Sequence, residues 1–403
     1  MSFRTVNLTI RAVTIFLFLS GCAARVERPA SLPSFPLVLT ATDRLPSFTD
    51  DLDRKSLETA ISGSIQYYDR IPDARTFNFG NSTYTAGELK ESLLSFLEII
   101  RSAASGEIRE KRIRDAFDVY KSADRSENAE AFFTGYYEPV LEGSLKRTAR
   151  YRYPIYRKPD DSIVIDLGRF KGKFESEQIV VRLENGEIVP YFSRKDIDEK
   201  GCLKDRGLEI AWVADPVDIF FLHIQGSGII SLSDGSLVQV GYAGSNGRPY
   251  RSIGKRLIDE GKFFRGDVSL SSIKGYLREH PEEMSDILNH NESYVFFRIA
   301  ENGPVGCLGV TLTSGRSIAT DSRLYPKGAL AFVRTKKPLL DSDGNIKAWV
   351  PFSRFVLNQD TGGAITGPGR VDIFCGRGKK AEITAGHLKE EGELYFLVKK
   401  VSN

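Results

Sequence analysis

Along the chain the apolar positions change period twice, and each change marks a different kind of element. Arg4 and Arg11 precede the apolar run Ala12–Leu19, which at eight residues is too short to span a bilayer and reads as the core of a secretory signal. Residues 25–48 hold Pro29, Pro33, Pro36 and Pro46 without a sustained period, as expected of a tether. Thr85-Ala86-Gly87-Glu88 is a capping box, and Leu89, Leu93, Phe96, Leu97 and Ile100 then fall on one helical face. Ile108, Ile113, Phe117 and Tyr120 predict a second helix, with Arg109, Lys111, Arg112 and Arg114 on its solvated side.

From Phe132 the pattern becomes short alternating runs between turn residues. Ile179–Leu183 and Ile188-Val189 flank Asn185-Gly186, and Ile229–Leu232 and Leu237–Val240 flank Asp234-Gly235, so two hairpins are predicted. Trp212 and Trp349 lie in strand-like runs and are assigned to the core, as is a packed His223 in the strand-like run Phe220–Ile224. A helical interruption over Arg251–Leu288 precedes strands that run from Tyr294 to Val398. Many short strands with turns throughout predict a mainly β protein with some α, built from β-barrels rather than a doubly wound sheet.

Composition narrows the function classes. The 403 residues carry 56 basic and 53 acidic side chains, a net charge of +3 that leaves no footprint for nucleic acid. Gly226-Ser227-Gly228 and Gly376-Arg377-Gly378 lack the third glycine and the helix of a dinucleotide site. There is no Walker-type loop and no Gly-x-Ser-x-Gly elbow. Asp341-Ser342-Asp343-Gly344 is a hairpin turn, since its glycine comes too early for a calcium loop. The 4 His show no ligand spacing, so neither a metal nor a cofactor is expected.

Leu19-Ser20-Gly21-Cys22 resembles the lipobox of bacterial lipoproteins, in which the cysteine is acylated and becomes the mature N-terminus. That places a signal peptide at 1–21 and a lipidated tether at 22–48. Ala23, where an aspartate would mark inner-membrane retention, favours an outer-membrane anchor facing the periplasm of a Gram-negative bacterium. Cys202, Cys307 and Cys375 then remain, enough for one disulfide at most.

Four glycine-rich polar segments stand out: Phe133–Pro139, His223–Gly228, Gly241–Arg248, and Asp360–Ile365 continuing through Gly367, Arg370 and Asp372. Amides, hydroxyls and tyrosines of this kind suit a groove for an uncharged polyol. Together with Tyr250–Gly254 and Tyr294–Arg298, they resemble the membrane-bound lytic murein transglycosylase A family. Asp321, Asp360 and Asp372 match the family's C-terminal three-aspartate module.

The resemblance implies a double-psi β-barrel over 49–140 and 245–403, with a smaller β-barrel-like domain inserted at 141–244 and a groove between them. It implies cleavage of the β-1,4 bond between N-acetylmuramic acid and N-acetylglucosamine in peptidoglycan, closing a 1,6-anhydro ring. Because the nucleophile is the substrate's own C6 hydroxyl, one carboxyl serves as acid and then as base, whereas ordinary glycosidases need two. The resemblance assigns that role to Asp372, with Asp360 and Asp321 in support. Thr134, Gly135, Tyr136, Gln225, Ser227 and Gly228 match groove-lining segments. Cys375 departs from the aromatic that relatives often carry, which puts a stacking contact in doubt. Two other readings stay open: a hydrolytic muramidase, and a non-catalytic lipoprotein that grips peptidoglycan.

Overall fold

The alternating runs after residue 130 close into a ring. In a computed structural model, which describes residues 36–122, 130–174, 177–264, 266–301 and 303–400, six strands form a closed barrel. Ala131–Glu138 runs parallel to Arg370–Arg377, which is antiparallel to Ser317–Ala319. Ser317–Ala319 runs parallel to Ile346–Asp360. Leu330–Leu340 and Lys389–Lys399 follow, and Lys389–Lys399 pairs back onto Ala131–Glu138. Two parallel pairs inside an otherwise antiparallel ring make a double-psi β-barrel. Its interior is apolar because every second residue points inward, and Phe133, Val371, Ile373, Phe332, Val356 and Phe396 are all buried. The helices Arg54–Tyr68 and Ala86–Ser102 extend that core through Leu57, Ile61, Leu93 and Phe96. Thr85 and Glu88 form the expected capping box.

The second body is a six-stranded sheet ordered 295–299, 237–245, 227–232, 140–144, 209–213 and 153–156. A parallel bridge from Arg157 to Phe297 joins its two ends, so it is barrel-like. It takes in Val295–Ile299, beyond the 244/245 boundary expected from the sequence. The helices at 253–259, 270–279 and 281–290 share a core with Pro216–Gln225 of the same body. Both predicted hairpins form, with Asn185, Gly186 and Gly235 at positive φ.

Several local expectations are corrected. The helix at Gly106–Ala116 stops before Phe117, and Phe117–Ser122 is a strand added to the barrel edge. Phe117, Val119 and Tyr120 fit either period, and pairing with Lys389–Lys399 decides. Phe220–Ile224 belongs to the helix Pro216–Gln225, capped by Asp215 and closed by Gly226 in the left-handed region. An unbroken apolar run carries no period, so only the caps distinguish helix from strand there. The expected tether ends earlier than residue 48: Leu37–Leu39 is a strand, and Leu37 and Phe48 are buried. Trp349 is 37% exposed and Trp212 is half-buried, so neither is a core anchor. The signal peptide and Cys22 lie outside the described residues. Among the described residues no helix is long and apolar enough to cross a membrane.

Candidate active site

Parallel pairing of Ala131–Glu138 with Arg370–Arg377 sets Thr134 directly opposite Asp372. With Phe133, Val371 and Ile373 inside the barrel, Phe132, Thr134, Arg370 and Asp372 occupy its outer wall. The Thr134 hydroxyl donates to Asp372 Oδ1 at 2.7 Å. On the other side of Asp372 lies Ala319, whose second neighbour is Asp360. A single alanine therefore separates the two aspartates across the sheet.

The two carboxylates have different surroundings. Asp360 accepts from the Tyr136 hydroxyl at 2.9 Å, from the Thr361 amide at 2.9 Å and from the Cys307 amide at 2.9 Å. Its lone pairs are largely committed. Among the described residues Asp372 receives a side-chain hydrogen bond from Thr134 alone, at Oδ1, which leaves Oδ2 available. Burial pushes the Asp360 carboxyl up to about 6, against the pull of those three donors. Burial also pushes Asp372 up to about 6; the Thr134 hydroxyl and the Arg370 guanidinium oppose this, and the neighbouring Asp360 charge adds to it. Burial and the Asp360 charge hold the Tyr136 phenol protonated, so it remains a donor.

Asp321 stands apart from this pair. It is buried, and although burial opposes its charge, the Arg323 guanidinium and the amides of Gly367 and Arg323 hold the carboxyl below the usual range. Its contacts are 2.6 Å to Arg323 Nη2 and 2.8 Å to the Gly367 amide. Gly369 in turn donates to the Tyr325 hydroxyl at 2.8 Å. Together these pin the loop that follows Asp360.

The other sequence-derived candidates divide. Gly135 is required by close approach: a Cβ there would sit 2.8 Å from Ala385 Cα and 2.9 Å from Cys375 Sγ. Gln225 Oε1 accepts from the Tyr137 amide at 2.9 Å, tying the inserted body to the barrel strand. Ser227 is buried, and a Cβ on Gly228 would meet Leu222 at 2.5 Å, so both are packing positions in the second sheet. His223 is buried; its Nδ1 accepts from Arg194 at 3.0 Å, and burial with the Arg194 charge keeps it neutral. Cys202, Cys307 and Cys375 are free thiols. At the Cys375 departure, the neighbouring Phe374 ring lies 5.2 Å from that of Tyr136. Among the described residues no three His, Cys, Asp or Glu side chains converge as metal ligands.

A cavity of about 730 Å³ opens between the two bodies. Phe132, Thr134, Arg370 and Lys389 line it from the barrel, and Gln225, Tyr250 and Lys255 from the other side. Cavities of about 890 and 950 Å³ elsewhere include neither Thr134 nor Arg370. Lys389 has no sequence signal beyond its place in an alternating strand, whereas Arg370 lies in a segment expected to form the groove and Tyr250 in a motif of the family resemblance.

A two-bodied β protein with a carboxylate pair beside the residues that line an interdomain groove has the build of an enzyme that acts on a polymer. Comparison with known proteins specifies it. Residues 132–298 match the MltA specific insert domain, and residues 316–398 match the 3D domain. The chain is 32% identical to membrane-bound lytic murein transglycosylase A of Escherichia coli K12 over 297 residues, covering 73% of this chain and 72% of the relative. A Vibrio cholerae protein of the same name is 30% identical over 66% of this chain and 64% of its own. The crystal structure of a membrane-bound lytic murein transglycosylase from Agrobacterium tumefaciens superposes with a TM-score of 0.73 at 32% identity, covering 91% of this chain and 98% of that one. E. coli MltA with bound chitohexaose gives 0.69 at 26% identity, over 91% and 95%. The chain belongs to the membrane-bound lytic murein transglycosylase A family.

Proposed function

We propose that this protein cleaves the glycan strands of peptidoglycan as a lytic transglycosylase, with Asp372 as its single acid and base. One observation carries the assignment of the acid. Of the two aspartates held near pKa 6, Asp360 is engaged at both oxygens, whereas among the described residues Asp372 Oδ2 receives no side-chain donor, and the partner Thr134 and strand neighbour Arg370 of Asp372 line the groove. With Thr134 engaging Oδ1, the proton of the neutral acid resides on Oδ2 and is transferred to the glycosidic oxygen as the C1–O bond breaks. The C6 hydroxyl of the same muramic residue then bonds to C1 and returns its proton to Asp372. The carboxyl is regenerated, and no water is consumed. Because that hydroxyl is tethered to the sugar it attacks, it takes the place of the nucleophile or activated water that a second carboxylate provides in a hydrolase.

Asp360 acts through its charge. Three donors favour its ionised form, and that charge adds to the burial that raises Asp372 to about 6. Asp321 positions the loop after Asp360. Support for a lipid anchor at the outer membrane comes from Leu19-Ser20-Gly21-Cys22 and from relatives named as membrane-bound. The deciding experiment digests purified sacculi with the soluble chain beginning after Cys22, followed by mass analysis. Anhydro-muramyl ends support the proposal; reducing ends indicate a hydrolase, and binding without release indicates a non-catalytic anchor.

A further inference from the structure

Arg370 precedes Asp372 by two residues on one strand, so the two side chains leave the same face. Its guanidinium lies 5.0 Å above the ring of Phe132, its partner on the neighbouring strand. Nη1 is buried without a hydrogen-bond partner, and among the described residues Arg370 forms no ion pair. A buried guanidinium nitrogen without an acceptor is costly, and five N–H donors in a planar fork match a carboxylate.

The surroundings have the same sign. Lys389 is the partner of Thr134 in the adjacent row, with its ammonium donating to the Val268 carbonyl. Lys255 faces them from the inserted body. Against these three cations, Asp259 is the one acid among the described residues lining the cavity, while Asp372 stands beside Arg370 on the same strand. Glu391 continues the row beyond Phe132 but does not line the cavity. Tyr250 supplies an aromatic wall, and burial near Arg370 keeps its phenol protonated and neutral.

We propose that this cavity is an anion subsite, in which Arg370 receives a carboxylate carried on the 3-O-lactyl substituent of the muramic residue being cleaved. The inference rests on the glycan-cleaving reading above, because only there is an acidic substituent brought next to Asp372. A neutral chito-oligosaccharide carries no such group. The carboxylate has two possible sources: the lactyl acid itself on peptide-free strands, or an acid of the attached peptide.

The test is equilibrium binding to the mature chain by calorimetry, with thioglycosidic linkages in the muramyl ligands so that none is turned over. The ligands are chitohexaose, peptide-free glycan with free lactyl carboxylates, the same glycan methyl-esterified, and peptide-bearing glycan. Wild type is expected to bind the free-acid glycan about tenfold more tightly than its ester. R370Q is expected to erase that difference while leaving the Kd for chitohexaose within about twofold, and R370K to retain part of it. Preference for peptide-bearing over peptide-free glycan assigns the carboxylate to the peptide; the reverse assigns it to the lactyl group. Equal wild-type affinity for acid and ester overturns the proposal, and that comparison needs no variant. Loss of chitohexaose binding in R370Q equal to the loss for the acid also overturns it, since Arg370 then only supports the wall. If wild type discriminates acid from ester but releases no anhydro product, the catalytic reading fails and the subsite stands.

Discussion

Asp360 and Asp372 lie on either side of Ala319, each paired with it in the barrel. At the usual strand spacing their Cα atoms are roughly 10 Å apart, close enough for one charge to set the other's protonation. The pair is asymmetric because, among the described residues, the Asp360 carboxylate accepts three hydrogen bonds and that of Asp372 one. Division of labour follows from that asymmetry rather than from burial, which raises both.

Asp360→Asn removes the neighbouring negative charge. Asp372 should then ionise at lower pH, and the alkaline limb of the kcat profile, set near 6 in the parent, should move down. An unmoved limb would show that the two groups do not communicate.

Thr134→Val deletes the donor to Asp372 Oδ1 while preserving shape. Because that bond favours the carboxylate, its loss should shift the same limb upward. Loss of the fixed proton position should lower kcat by about tenfold or more, with KM nearly constant. The melting temperature should change little. A rise in KM with unchanged kcat would make Thr134 a sugar contact instead.

Both aspartates hold their protons more tightly in the folded chain than in the unfolded one. Their contribution to stability is therefore present below about pH 4, declines as pH rises to about 6, and remains lost above it. Displacement of Asp372 from 3.8 to about 6, discounted for the solvent that still reaches it, is worth about 1–2 kcal/mol. Asp372→Asn should gain that stability at pH 7 and almost none at pH 4 in urea unfolding. An equal effect at both pH values would contradict the raised pKa.

Asp321→Ala breaks the contacts to Arg323 and to the Gly367 amide. The loop after Asp360 should loosen, with a stability loss of about 1–3 kcal/mol from the buried donors left unpaired. The kcat should fall, but the pH limb should hold its place. Proteolysis within 361–369 would locate the effect.

Much of the architecture was legible in the sequence because period 2 and turn chemistry act locally. Asn185-Gly186 and Asp234-Gly235 specify hairpins by themselves, and Thr85 with Glu88 specifies a helix start. What failed was decided by partners far along the chain. Phe117–Ser122 becomes a strand because Lys389–Lys399 offers an edge, and Val295–Ile299 joins the second sheet because Leu237–Ser245 pairs with it. The motif at Asp372 was readable, yet the asymmetry with Asp360 was not. It depends on the Cys307 amide and the Tyr136 hydroxyl arriving from segments 53 and 224 residues away. Ser227 and Gly228 looked like groove residues because packing glycines and ligand-facing glycines have the same composition.

The most direct measurement compares wild type and Asp372→Asn on purified sacculi at pH 5.5, with mass analysis of the released fragments and a circular dichroism melt of both proteins. The account predicts that wild type releases fragments ending in 1,6-anhydro-muramic acid, and that the variant melts at or above the wild-type temperature while releasing none. Near-normal release of anhydro fragments by a folded Asp372→Asn would contradict it.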